Sequence, residues 1–148
     1  MIIGSDSDRD RLREAGMADL LAALGLPHEF AVISSDRRPD DLRRFCLDRR
    51  HILRVVIAAA GGVPNLPVTV KSWLPHVVVV GVPLDPDPAL ALASLTTPSD
   101  RPVLVVGWGA AGLRKAAHTA RDILRPAPAQ NPAPAQNVDA VPYPPSGH

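Results

Sequence analysis

The sequence of 148 residues predicts a single α/β domain in which helices cover both faces of a parallel sheet. Short apolar and β-branched runs alternate along residues 1–125 with segments whose apolar residues recur at helical spacing. This alternation is typical of strands that are joined by crossover helices. Apolar residues make up 46% of the chain, which is enough for one well-packed core in a domain of this length.

The predicted strands and helices follow one another along the chain. The predicted strands are residues 1–3, 28–33, 53–59, 77–80 and 103–106. The predicted helices are residues 9–24, 39–50, 66–74, 88–95 and 110–124. Gly25 is a typical end for the first helix, and Pro39 suits the first turn of the second. The uninterrupted apolar run of the third strand indicates a strand that is buried on both faces.

Residues 126–148 differ from the rest of the chain in their proline content. The hexapeptide PAPAQN occurs twice, at 126–131 and at 132–137. Such a segment has little apolar surface to bury, and proline blocks both helix and sheet. We therefore predict a domain at 1–125 followed by a disordered Pro/Ala-rich tail at 126–148. We favour a solubilising extension over a docking segment for a partner.

The bulk composition argues against several classes of function. A formal net charge of +1 and an aromatic content of 3% predict no nucleic-acid partner and no membrane surface. The single cysteine, Cys46, excludes an intramolecular disulfide, and no Cys/His spacing typical of a metal site is present. No signal peptide and no membrane span are recognisable, so we expect a cytoplasmic protein without a metal.

Ligands of open parallel sheets bind beyond the carboxyl ends of the strands, which directs attention to the turns there. The turn after the first predicted strand reads Gly4-Ser5-Asp6-Ser7-Asp8. Glycine permits close backbone approach, serine hydroxyls and helix amides suit phosphate, and carboxylates suit ribose hydroxyls. The alternative is that Asp6 or Asp8 only caps the first helix.

Two further turns follow the second and third predicted strands. In Ser34-Ser35-Asp36-Arg37-Arg38-Pro39, the forked guanidinium of Arg37 could hold a phosphate, although an Asp–Arg surface pair is an equal alternative. In the third turn, at 59–67, two adjacent glycines permit close backbone approach. Because all three turns are expected at one edge of the sheet, they predict one site for a phosphorylated ribose compound.

With these turns the chain resembles the aminoimidazole ribonucleotide (AIR) carboxylase and carboxyaminoimidazole ribonucleotide mutase family of purine biosynthesis. The family motifs are Gly-Ser-x-Ser-Asp, Ser-Ala-His-Arg-x-Pro and Ala-Gly-x-x-x-His-Leu-Pro, and residues 4–8, 34–39 and 60–67 match them in whole or in part. Gly-Val-Pro at 81–83 and Gly-x-Ala-Gly at 109–112 are also present. The order and spacing hold over residues 2–124.

The resemblance implies a flavodoxin-like three-layer domain with a parallel five-stranded sheet, assembled as a homo-oligomer and usually as an octamer. It implies carboxyl transfer at ring carbon C4 of an aminoimidazole ribonucleotide, without a metal or organic cofactor. It also implies that the substrate contacts two serine-rich turns and the glycine turn. The implied substrate-binding residues are Ser5, Asp6, Ser7, Asp8, Ser34, Ser35, Arg37, Gly61, Gly62, Asn65 and Leu66.

The chain departs from the family motifs at two histidines. Asp36 stands where the motif has its catalytic histidine, and Asn65 replaces the histidine of the third turn. An aspartate is ordinarily ionised at neutral pH, so Asp36 is a base but a poor acid, and its charge should weaken the binding of a carboxylated nucleotide. Three interpretations follow: a related carboxylation or decarboxylation with Asp36 as acid/base, an ordinary purine-pathway enzyme, and a non-catalytic nucleotide-binding or scaffolding relative. We favour the first.

Overall fold

The protein is described here from a computed structural model, which describes residues 1–62, 65–85, 87, 89 and 100–126. The strands are β1 (Ile2–Ile3), β2 (Ala31–Val32), β3 (Val55–Ala60), β4 (Val78–Pro83) and β5 (Leu104–Val105). The helices within the described residues are α1 (Ser7–Glu14), α2 (Met17–Ala23), α3 (Pro39–Arg49), α4 (Asn65–Trp73) and α5 (Gly109–Leu124). All of the predicted helix at 88–95 except Ala89, and all of the predicted tail except Pro126, lie outside the described residues.

The five strands form one parallel sheet in the order β2-β1-β3-β4-β5. Its central strand, β3, sends alternate side chains to opposite faces, as the pleat of a strand requires. Ile57 and Ala59 belong to a core cluster with side chains of α1, α2 and α5. Val56 and Ala58 belong to a second cluster with side chains of α3 and α4. The predicted three-layer α/β fold is therefore confirmed, as is the burial of the third strand on both faces.

The single helix predicted at 9–24 is wrong, because the chain forms two helices there. Gly16 adopts a left-handed conformation with φ of +64° and separates α1 from α2. This conformation is accessible to glycine but costly for other residues, and apolar spacing alone does not reveal it. Gly25 ends α2 as predicted, since its N–H bonds to the carbonyl of Ala22 and that of Leu26 to the carbonyl of Leu21.

The second and fifth strands are much shorter than predicted, with two residues each. Both lie at the edges of the sheet and pair on one side only, whereas β1, also two residues long, pairs on both sides. The parallel order brings the carboxyl ends of β1, β2, β3 and β4 to one edge of the sheet. In the described part of the chain no helix is long and apolar enough to cross a membrane.

Candidate active site

A cleft of about 510 Å³ lies where β1, β2, β3 and β4 end. All of the site residues predicted from sequence line this cleft except Asp6 and Asn65. The cleft lies beyond the carboxyl ends of the strands, where open parallel sheets bind their ligands. Its walls are formed by Gly4, Ser5, Ser7, Asp8, Arg11, Ser34, Ser35, Asp36, Arg37, Ala60, Gly61, Gly62, Leu66 and Asp85.

The turn after β1 presents two hydroxyl groups and a buried carboxylate. The Ser5 hydroxyl lies 2.7 Å from Oδ2 of Asp8, to which it donates, and 2.8 Å from the hydroxyl of Ser7. Asp8 is buried within the first turn of α1, so its carboxylate is held in one place. Asp6 stands at the N-cap position but makes no capping bond, and its carboxylate pairs instead with Arg9 at 2.8 Å. The side-chain capping alternative therefore fails for this turn.

The turn after β2 is ordered by one serine. The hydroxyl of Ser34 accepts hydrogen bonds from the backbone N–H of Asp36 at 3.3 Å and from that of Arg37 at 3.1 Å. Ser35 donates to Oδ1 of Asp36 at 3.4 Å. Asp36 and Arg37 are exposed at the cleft. They form no ion pair with each other, so the surface-pair alternative is not supported.

The turn after β3 contributes backbone rather than side chains. Gly62 has φ of +63°, a left-handed conformation that favours glycine. A Cβ on Gly61 would stand 3.3 Å from the carboxylate of Asp85, so glycine permits that close approach. Leu66 is buried behind the turn, whereas Asn65 begins α4 outside the cleft, and its carbonyl accepts from Thr69 at 3.0 Å.

The structure adds two charged residues that the sequence did not indicate. Asp85 follows β4, and its carboxylate accepts from Nη1 of Arg11 at 3.0 Å and from the backbone N–H of Gly62. These two donors, the Gly62 N–H foremost, hold the pKa of Asp85 below its usual range. The available signals were weak: Arg11 is one helical turn beyond Asp8, and Asp85 comes two residues after the Gly-Val-Pro motif.

Some charged side chains of the cleft have a partner within the protein, and others form no ion pair among the described residues. Asp85 neutralises Arg11, and Asp8 accepts from Ser5. Among the residues that the structure describes, neither Arg37 nor Asp36 belongs to an ion pair. The cleft therefore offers a guanidinium for an anion and a carboxylate for a proton on consecutive residues of one turn. No group of three or more potential metal ligands occurs within the described residues.

The family model and the relatives that match this chain all belong to the same family. The family model described as AIR carboxylase matches residues 1–138. The chain is 36% identical to the N5-carboxyaminoimidazole ribonucleotide mutase of Pseudomonas aeruginosa, covering 84% of this chain and 77% of the relative. It is 34% identical to the protein of the same name from Bacillus subtilis, covering 84% of this chain and 78% of the relative.

A longer relative and a solved structure complete the comparison. The bifunctional purine synthesis protein purC/E of Dictyostelium discoideum is 35% identical over 85% of this chain, which spans only 13% of that protein's length. The crystal structure of Treponema denticola PurE superposes with a TM-score of 0.69 at 21% identity, covering 80% of this chain and 74% of that one. At this identity the structural likeness supports the fold alone.

Proposed function

The chain belongs to the AIR carboxylase family, and from this membership we propose that it transfers a carboxyl group to or from the aminoimidazole ring of a ribonucleotide bound in the cleft. The observation that supports this proposal is the meeting of the turns after β1, β2 and β3 in one cleft. Together they offer a guanidinium, several hydroxyls, a buried carboxylate and a free carboxylate. The resemblance to the family motifs assigns the same turns to substrate.

The phosphate of the nucleotide is held by Arg37 and by the hydroxyls of Ser5 and Ser7, whose protons turn from Asp8 and from the neighbouring serine toward the phosphate oxygens when the ligand binds. A guanidinium can present two parallel N–H donors to phosphate oxygens, and such charge-assisted bonds are about twice as strong as neutral ones. Arg37 suits this role because no described carboxylate competes for it. The Ser34 hydroxyl fixes the backbone from which the guanidinium extends.

The ribose is held by Asp8. Its buried carboxylate already accepts one hydrogen bond from Ser5 and retains further acceptor positions for a sugar hydroxyl. Because Asp8 belongs to α1, the ribose is fixed relative to the phosphate-binding serines on the same turn. This arrangement directs the base toward the Gly61–Gly62 turn, which lines the same cleft.

Asp36 is the residue that moves the proton. In the carboxylation direction, ring carbon C4 forms a bond to the carbon of carbon dioxide, and the proton that C4 loses passes to the Asp36 carboxylate. In the reverse direction Asp36 returns that proton to C4 as the carbon–carbon bond breaks and carbon dioxide leaves. The family members named as mutases suggest a migration between two carboxylated isomers as a further form of the same chemistry.

One observation favours a second candidate, a non-catalytic nucleotide-binding or scaffolding relative. Asp36 is exposed, and the 3.4 Å contact from Ser35 is long for a hydrogen bond between a hydroxyl and a carboxylate. An exposed side chain without a close hydrogen-bond partner is not held in one orientation toward a bound base, as proton transfer in the site requires. Assembly as a homo-octamer stays a prediction from the family resemblance for either candidate.

Turnover and binding of the 4-carboxylated aminoimidazole ribonucleotide distinguish the two candidates. If the protein transfers the carboxyl group, the imidazole absorbance of the nucleotide should change when the wild-type protein is added. Carboxyl transfer also predicts that Asp36→Asn lowers the rate by about 100-fold or more, while the calorimetric affinity for the uncarboxylated aminoimidazole ribonucleotide stays within about threefold. Asp19→Asn, which changes an exposed aspartate of α2, is the matched control. Binding without turnover by the wild type supports the non-catalytic candidate, and normal turnover by Asp36→Asn removes Asp36 from the chemistry.

A further inference from the structure

Asp85 brings a fixed negative charge into the cleft. Its Oδ1 accepts from Nη1 of Arg11 at 3.0 Å, and its Oδ2 accepts from the backbone N–H of Gly62. Its two partners come from α1 and from the turn after β3, and Asp85 itself follows β4, so this one carboxylate joins three segments of the chain. About a quarter of the Asp85 side chain is exposed, and it lines the cleft directly.

The two donors that Asp85 occupies are those of an anion site. A guanidinium and a backbone N–H of a left-handed glycine turn, aimed at a common point, are suited to a carboxylate oxygen pair. The point lies against Gly61, where a Cβ would stand 3.3 Å from Oδ2 of Asp85 and 3.6 Å from Nη1 of Arg11. Under the proposed function, this is the end of the cleft that faces the base and its carboxyl group.

We propose that Asp85 is a specificity-determining residue whose carboxylate fills the anion site made by Arg11 and Gly62, so that the cleft prefers the uncarboxylated aminoimidazole ribonucleotide to its 4-carboxylated form. This inference rests on the proposed function, because it assumes that the base lies beside the glycine turn. The carboxylated nucleotide must either displace the Asp85 side chain or leave its own carboxylate without these donors. In both cases it binds more weakly than the neutral ring.

The remaining charges of the cleft act in the same direction. Asp8 is assigned to the ribose, and Asp36 adds a further carboxylate beside Asp85; like charges in a partly enclosed cleft repel an anionic base. Arg37 is the remaining lining cation, and under the proposed function the phosphate takes it. A carboxylate on the base therefore meets two aspartates and, in the described part of the cleft, no cation that is not already engaged.

Two variants of Asp85 test the inference by calorimetry with both nucleotides. Asp85→Asn removes the charge, and Asp85→Ala also empties the anion site. We expect the wild type to bind the uncarboxylated nucleotide at least about tenfold more tightly. We expect Asp85→Ala to tighten binding of the carboxylated nucleotide by about tenfold, with affinity for the uncarboxylated one within about threefold. Asp85→Asn should fall between wild type and Asp85→Ala, and Asp10→Asn, on the exposed face of α1, is the matched control.

The affinities for the two nucleotides together show whether Asp85 determines ligand specificity or only stabilises the turn. If Asp85 only stabilises the turn, both nucleotides weaken in parallel when it is replaced, and the inference is overturned while the proposed function stands. Failure of both nucleotides to bind the wild type overturns the proposed function. Formate then decides the inference without a nucleotide: it should shift the Gly62 amide resonance saturably in Asp85→Ala and not in the wild type. Absence of that shift in Asp85→Ala overturns the anion site itself.

Discussion

At the scale of single residues, the turn after β2 carries two residues with different proposed roles: Arg37 binds phosphate and Asp36 transfers a proton. The Ser34 hydroxyl holds the backbone of both residues, and both side chains extend into the cleft. A residue on such a turn can change its chemistry without altering the backbone that carries it. An aspartate can therefore stand where the resemblance to the family motif predicts a histidine, while the backbone that carries Arg37, the proposed phosphate ligand, keeps its form.

The role of Arg37 leads to a prediction about phosphorylated and unphosphorylated ligands. Arg37→Gln should weaken the binding of an aminoimidazole ribonucleotide by about 10- to 100-fold, because a charge-assisted contact to phosphate is lost. The corresponding nucleoside, which has no phosphate, should bind Arg37→Gln and the wild type alike. Calorimetry measures both, and Arg44→Gln, on α3 outside the cleft, controls for net charge. Equal weakening of nucleoside and nucleotide would contradict the assignment.

At the scale of elements, α4 and β4 are joined by a buried lysine. Lys71 is 7% exposed, and its ammonium donates to the carbonyls of Pro75 at 3.0 Å and Val77 at 2.8 Å. It thereby satisfies two carbonyl groups in the connection that leads from α4 into β4. The connection places the start of β4, and with it the register that delivers Asp85 to the cleft.

Loss of this contact should destabilise the fold. Lys71→Met keeps the aliphatic stem but leaves two carbonyl groups without their donor, and we expect the free energy of unfolding to fall by about 2 kcal/mol. Urea denaturation followed by circular dichroism measures the change. Lys115→Met, the same substitution at an exposed site of α5, should change the stability by less than about 0.5 kcal/mol. Equal effects of the two substitutions would show that the buried contacts contribute nothing.

Elements were predictable from sequence where a local signal marks their ends. Pro39 begins α3 and Gly25 ends α2, as their backbone preferences predict. Gly16 was missed because the apolar spacing continues past it, and only a tertiary arrangement selects its left-handed conformation. The short lengths of β2 and β5 are marked by no local signal, because apolar residues continue beyond the paired residues of both strands.

In the site too, features marked by neighbouring residues were predictable, whereas contacts between residues far apart in the sequence were not. The turns that carry Ser5, Asp36 and Gly61 were predictable because each directly follows a strand of one parallel sheet. The pair between Arg11 and Asp85 joins residues 74 positions apart, so no spacing rule indicates it. Sequence patterns therefore gave the location of the cleft, and the pairing of its charges required the structure.

At the scale of the whole molecule, the chain's one thiol reports on global opening. Cys46 is fully buried in the layer formed by α3 and α4, and burial raises the pKa of its thiol to about 11. Ordinary cysteine has a pKa near 8.5, so the folded thiol stays protonated where the unfolded one ionises. The stability that this burial gives is complete below about pH 8.5 and is lost as the pH rises through about 11.

This burial predicts slow labelling of the native protein. At pH 8 a disulfide reagent should modify Cys46 at least about 100-fold more slowly in the native chain than in 8 M urea, because only the thiolate of an opened chain reacts. The absorbance of the released thiol measures both rates. Denaturant well below the unfolding transition should accelerate the native reaction steeply if exposure requires global unfolding, because the open population then rises with the full denaturant dependence of unfolding. Rapid stoichiometric labelling of the native chain would contradict the packing of α3 against the sheet.

Under the proposed function, one cleft holds the ribonucleotide with its reactive carbon at Asp36. A crystal structure of the chain with bound aminoimidazole ribonucleotide tests it most directly. We expect the phosphate against Arg37 and Ser5, the ribose against Asp8, and ring carbon C4 about 3–3.5 Å from the Asp36 carboxylate. A nucleotide bound outside the cleft, or one whose C4 lies too far from Asp36 even for a bridging water, would contradict the account.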